Sequence, residues 1–143
     1  MKINDVIKGK SSSKVITVTP DKTVRDLLAL LAEHNIGAVV VSGDGSSVDG
    51  IVSERDVVRK LNGNDGILDA TVDQIMTAVV QTCERNHDVD ELMVQMTERR
   101  IRHVPVVDNG ELIAVISIGD VVKSRITQLE FERDQLDSYV HQT

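Results

Sequence analysis

The chain has 143 residues and a formal charge of −7, from 16 basic and 23 acidic side chains. That length suits one ordinary domain or two small ones packed together, with enough core to fold without a staple. The acidic excess argues against a general nucleic-acid surface, and a lone Cys83 excludes an internal disulfide. No apolar run approaches the ~18 residues of a membrane span and no signal-like N-terminus is present, so a soluble cytoplasmic protein is expected. Aromatic side chains are limited to Phe131 and Tyr139, which leaves no platform for stacked bases. The core must come from Val, Ile, Leu, Met and Ala.

The predicted elements run in chain order and then run again. VITV (15–18) is a β-branched run and a predicted strand. Thr23 caps a helix whose apolar face is Val24, Leu27, Leu28 and Leu31, at i, i+3, i+4 and i+7. AVVVS (38–42) and VDGIV (48–52) are strands joined by a Gly/Asp turn, and a second helix starts at Ser53. NGNDG (62–66) links the halves, and a short helical turn near Thr71–Met76 leads into the second. VVQT (79–82) is then a predicted strand. Asp88 caps a helix with Val89, Leu92, Met93 and Met96 on one face. VPVVD (104–108) and LIAVI (112–116) are strands joined at Asn109-Gly110, a strong hairpin signal. A last helix starts at Ser117. The two halves align at an offset of about 65 residues, so this is an internal duplication. The predicted class is α+β, with two pseudo-symmetric βαββα repeats packed sheet to sheet and a long C-terminal helix. The first repeat spans 1–62, the second 63–125, and 126–143 is a helical extension. Two such repeats related by a pseudo-twofold axis create two equivalent clefts.

GIVSERD (50–56) and AVISIGD (114–120) close the repeats with the same Ser-x-x-Asp. One reading is a capping box: Ser accepts an N–H at N3, and Asp favours the positive end of the helix. The other is a ligand site, since the helix N-terminus offers N–H groups to an anion and Asp can accept hydrogen bonds from a ribose diol. Arg55 lies inside the first copy, where it could meet a phosphate. Gly119 takes its place in the second, so the two clefts should differ. Arg102 and His103, whose counterparts in the first repeat are Gly37 and Ala38, begin a strand in an acidic protein. They are either a solvated strand end or a phosphate-steering pair.

VITVTPDKTVRDLLALL, NIGAVVV, GIVSERD, IMT, RIRHVPVVD and VISIGD together resemble a tandem pair of CBS (cystathionine β-synthase) domains, also called a Bateman module. The likeness extends from residue 1 to about 125 and is greatest to stand-alone bacterial proteins made of a CBS pair. The resemblance implies a binding module that is not an enzyme and that takes adenosine-containing ligands: AMP, ADP, ATP, NAD(H) or S-adenosylmethionine. It implies that Asp56 and Asp120 hold ribose hydroxyls and that Ser53 and Ser117 contact ribose or phosphate. Arg102, His103 and Arg55 steer phosphate, and Pro105 and Gly119 border the site. Adenine would lie against Ala78 and Val79 beside Asp56. Beside Asp120 it would meet Lys14, Val15, Ile36, Gly37 and Ala38.

No catalytic set emerges. Cys83 has no base in any motif, and the four histidines lack metal-ligand spacing. A small nucleotide hydrolase using Asp56 or Asp120 as base would need a second carboxylate or a metal cluster. A structural adaptor with empty clefts is the other rival to a regulatory sensor. After Asp120 the apolar residues Val122, Ile126, Leu129, Leu136 and Val140 keep 4-3 spacing, interrupted at Arg133. The tail is either an amphipathic helix lying on its own domain or a helix that pairs in a homodimer. An effector protein is a further possible partner; nucleic acid and membrane are not expected.

Overall fold

The computed structural model describes residues 1–10 and 15–141. A short helix α1 (Ile3–Lys8) opens the chain. The first repeat follows as β1 (Thr17–Val18), α2 (Val24–His34), β2 (Ala38–Val41), β3 (Gly50–Ser53) and α3 (Glu54–Leu61). Two 3-10 turns, Asp65–Asp69 and Val72–Gln74, lead to α4 (Val89–Arg99), β4 (His103–Asp108), β5 (Glu111–Ser117) and α5 (Ile118–Val140). The architecture is the expected α+β duplication with a long terminal helix.

Local chemistry sets the helix starts. Thr23 accepts from the Asp26 N–H, Asp88 from Asp90, Ser53 from Asp56 and Ser117 from Asp120. The ends of α2 and α4 also correspond: Asn35 and Arg100 both take a left-handed conformation, at φ 52° and 56°. Asn109 and Gly110 carry positive φ at the tip of the β4–β5 hairpin, as a tight primed turn requires.

In the first sheet β1 pairs parallel to β2, and β2 pairs antiparallel to β3. The second sheet is shorter than the sequence predicts. The run 79–82 forms no strand, and the counterpart of β1 is one bridge, Cys83 to Val106. Cys83 donates its N–H to the Pro105 carbonyl (3.0 Å) and accepts from the Val107 N–H (2.9 Å). The next bond of a parallel ladder would run from the residue at 105 to the chain before Cys83. Pro105 has no N–H to give, so the ladder stops. Val40 holds the equivalent place in β2 and does have one.

Every residue of β2 is buried. Successive side chains point to opposite faces, so this sheet is covered on both sides. Val39 and Val41 face the core of the first repeat with Val24, Leu27, Leu31 and Val52. Val104, Val106 and Ile116 face the other core with Val89, Leu92 and Met96.

Each core takes its leading segment from across the chain. Ile3 and Val6 of α1 are buried in the second repeat's core, beside Cys83 and Val121. Val72 and Ile75, from the leading segment of the second repeat, are buried in the first. The backbone matches this exchange: Lys2 bridges Asp88, and Thr71 bridges Thr23. Thr77 extends the exchange along β3, where its N–H donates to the Ile51 carbonyl at 2.8 Å and its carbonyl accepts from the Ile51 N–H at 2.9 Å. Gly50 makes that approach possible, since a Cβ there would sit 2.9 Å from the Thr77 carbonyl oxygen.

Ile3 is completely buried. Truncating a core isoleucine costs about 2–5 kcal/mol, from lost transfer energy and the cavity left behind. Ile3→Ala is therefore expected to lower the unfolding free energy, read from a urea titration, by an amount in that range. Amide exchange should accelerate in β4 and β5, far along the chain, before it does in β2.

Candidate functional site

The exchange places two clefts beside the two Ser-x-x-Asp motifs. The Asp120 cleft is a cavity of about 380 Å³. The first repeat contributes Val15, Ile16, Asn35, Ile36, Gly37 and Ala38. The second contributes His103, Ile113, Ala114, Val115, Ser117 and Asp120, and the leading segment adds Ile7 and Lys10. Of the residues expected here from sequence, Val15, Ile36, Gly37, Ala38, His103, Ser117 and Asp120 converge. Lys14 lies outside the described residues. Gly119 occupies the first turn of α5 without lining the cavity. Arg102 is exposed, and its carbonyl accepts from the Ile118 N–H at 2.8 Å. Pro105 is buried within β4, away from the lining.

The helix start holds Asp120 in place. Ser117 Oγ accepts from the Asp120 N–H (3.1 Å), and Asp120 Oδ2 accepts in return from the Ser117 N–H (3.0 Å). The capping-box reading is thus realised, and the same carboxylate also faces the cavity. Lys10 was not expected. Its Nζ donates to Asp120 Oδ2 at 2.8 Å and to the Val115 carbonyl at 2.7 Å. Lys10 and Asp120 are half-buried, with side-chain exposures of 29% and 27%. Burial pushes the Asp120 carboxyl up, but Lys10 and the Ser117 N–H outweigh it and hold the group below its ordinary 3.8. Burial lowers the His103 imidazole below 6.5, and Asp120 pulls it only partly back. His103 is therefore neutral at neutral pH. Gly37 faces it from the first repeat, where a Cβ would lie 3.4 Å from Glu54 Oε1 and 3.9 Å from His103 Cε1.

The Asp56 cleft is about 430 Å³ and more polar in its fittings. Asp56, Arg59 and Lys60 of α3 line it with Gln74, Ile75, Met76 and Thr77 of the exchanged segment. Asp56 Oδ2 accepts from the Ser53 N–H (2.8 Å) and Ser53 Oγ (3.1 Å), the same box as at Ser117. Ser53 caps the helix at the cleft's edge. Arg55 is exposed and outside the lining. Ala78 and Val79 also lie outside it, and Val79 is 92% exposed. Arg59 and Lys60 were missed, although a signal existed: they sit three and four residues after Asp56, on the same side of a helix.

Cys83 is buried, and burial alone pushes its thiol up to about 12. It is a core residue and no nucleophile. Among the described residues, no three His, Cys, Asp or Glu side chains gather as a metal site, and no helix is long and apolar enough to cross a membrane.

Duplicated units, βαββα in the first repeat and αββα with a single leading bridge in the second, exchange their leaders and enclose paired clefts, which defines a tandem-repeat module. The particular family follows from comparison: the CBS domain family matches residues 3–63 and again 72–126, and this chain belongs to it as a CBS-domain pair. A CBS-domain containing protein from Agrobacterium tumefaciens has the same fold at a TM-score of 0.82 and 42% identity. That match covers 87% of this chain and 99% of the other. A Burkholderia ambifaria protein described as signal-transducing, with CBS domains, aligns at 0.83 and 43%, over 89% and 95%. The mitochondrial CBS domain-containing protein CBSX3 of Arabidopsis thaliana is 35% identical over 96% of this chain and 71% of its own length. The CBS domain pair of protein MJ0100, solved with 5′-methylthioadenosine and S-adenosyl-L-methionine, is 23% identical at a TM-score of 0.77, over 90% and 98%. At that identity it shares the fold.

The Lys10–Asp120 pair carries a pH signature. Asp120 has a lowered pKa in the folded chain, so its contribution is present above 3.8 and is lost as pH falls through the lowered value. Lys10→Met is expected to melt below wild type at pH 7. The gap should close at a pH below that lowered value, where the carboxylate has taken up a proton. Thermal melts at the two pH values measure it.

Proposed function

We propose that this CBS pair is a regulatory sensor of adenosine-containing ligands, with no catalytic step of its own. The observation that carries the reading is the Asp120 cleft. Its volume lies in the range of small-molecule sites, its wall is apolar on both repeats, and a few polar groups gather at one end. Adenine would lie between Ile36, Ala38 and Ile113, with its ribose hydroxyls on Asp120. The ligands printed for MJ0100 are adenosine compounds, which supports that class. AMP, ADP, ATP and NAD(H) are the ligands to try first. The Asp56 cleft would be the second site, with Arg59 and Lys60 beside its carboxylate. Because Asp120 belongs to the first turn of α5, ligand entry would favour one placement of that helix, which is linkage in its simplest form. In this reading the module works in the cytoplasm and reports to an effector protein.

The same reading makes the protein a homodimer. Helix α5 runs unbroken to Val140, and from Leu129 onward every described residue is exposed. Of the two placements open to the tail, it does not lie on its own domain over that stretch. Ile126, Leu129 and Leu136 would instead meet their copies. Leu129→Glu combined with Leu136→Glu is expected to shift the mass from twice the chain's 15.7 kDa to that value in light scattering. A wild type that is already monomeric removes the dimer from the reading.

A thermal-shift panel tests the ligand class. A ligand at about 100 times its dissociation constant adds about 2.7 kcal/mol, several degrees for a chain of this length. Adenine compounds should shift the melt and guanosine compounds should not. Asp120→Ala is expected to weaken adenosine about tenfold or more, the worth of a charge-assisted hydrogen bond. A flat panel on folded protein would leave the structural adaptor standing instead.

A further inference from the structure

We infer that Lys10 makes the Asp120 cleft selective for a nucleotide over both its uncharged nucleoside and free phosphate. The inference rests on the adenosine-ligand reading and adds the residue that decides among such ligands. In the ligand-free chain the carboxylate already has a partner. Lys10 Nζ and the Ser117 N–H both donate to the same oxygen, Asp120 Oδ2. A ribose diol that grips both oxygens of Asp120 must therefore displace the ammonium from Oδ2, whose two acceptor positions are already taken. Both groups are half-buried, with under a third of each side chain exposed, and a charge in such a place is costly to leave without its partner. Lys10 would keep the Val115 carbonyl, which is a neutral acceptor.

Three ligands then face three different balances. A nucleoside supplies hydroxyl donors to Asp120 and nothing anionic to Lys10. Inorganic phosphate supplies an anion to Lys10 and leaves Asp120 without its cation. A 5′-nucleotide carries both groups on one sugar, so it replaces each half of the pair at once. With His103 neutral, Lys10 is the cation among the described lining residues of this cleft. The Asp56 cleft is built differently: the described contacts of Asp56 Oδ2 are with Ser53, and Arg59 and Lys60 stand beside it as separate cations. Selection by exchange of an internal pair thus belongs to one cleft and not to its mate. The leading segment supplies Lys10 from ahead of β1, so this ligand choice rests on the exchanged leader and not on the Ser-x-x-Asp motif itself.

The test uses the full chain with Asp56→Ala, so that only the Asp120 cleft is read, and calorimetric titration with AMP, adenosine and inorganic phosphate. The parent should prefer AMP to adenosine and should bind phosphate weakest. Lys10→Met keeps the buried stem and removes the charge. It should reduce the AMP-to-adenosine preference about tenfold or more, with adenosine binding as well as in the parent or better. Lys10→Arg should retain most of the preference. An unchanged preference in Lys10→Met overturns the inference while leaving the ligand reading intact. Adenosine binding that ignores Asp120→Ala overturns the reading of the cleft, and with it the role of Lys10. Failure of the parent to bind AMP or adenosine at millimolar concentration overturns both.

Discussion

The exchange of leading segments is the constraint on which the rest of this molecule depends. Neither repeat closes its own core. Ile3 and Val6 complete the second, and Val72 and Ile75 complete the first. Each exchange carries a strip of backbone over the partner repeat, and those strips form one wall of each cleft. Gln74 to Thr77 wall the Asp56 cleft; Ile7 and Lys10 wall the other. The cores and the clefts are therefore products of one topological arrangement. A chain lacking either leader would lose a hydrophobic face and a cleft wall together.

The duplication gives two clefts of one design, and the sequence then makes them unequal. Both keep Ser at the helix cap and Asp at N3, tied by the same reciprocal hydrogen bonds. The wall residues differ. One cleft pairs its carboxylate with a lysine from the leader, and the other has Arg59 and Lys60 on the helix itself. Capping and ligand contact are not rival roles for these motifs. A carboxylate fixed by its own helix end presents a defined geometry, and that rigidity is what a positioned acceptor needs.

What was legible in the sequence was local. The caps at Thr23, Ser53, Asp88 and Ser117 follow from side-chain oxygens competing for free N–H groups, and all four appear. The hairpin at Asn109-Gly110 follows from a demand for positive φ. The repeat itself was legible because two copies reinforce one pattern, whereas the placing of Val15, Ile36, Gly37 and Ala38 about Asp120 came from the resemblance to CBS pairs. The run 79–82 misled because β-branched residues signal a strand only where a partner edge exists, and Pro105 withholds the N–H that edge would need. Arg55 drew attention by adjacency to Asp56. One residue along a helix is a turn of about 100°, so the neighbours in space are Arg59 and Lys60. Lys10 was beyond reach of any periodicity: its contact with Asp120 spans 110 residues and depends on the exchange.

Helix α5 has a consequence of a different kind. It is one continuous run of 23 residues, and its described turns contain neither glycine nor proline after Gly119. Such a rod is about 34 Å long at 1.5 Å per residue. Its base is the turn that contains Asp120, and its far end stands clear of the domain. A rod held at one end converts angle into distance: a tilt of about 5° at the base carries the tip roughly 3 Å, close to two residues of helical rise. The protein thus has a built-in lever arm, with its fulcrum at a cleft and its load wherever Tyr139 and Val140 make contact.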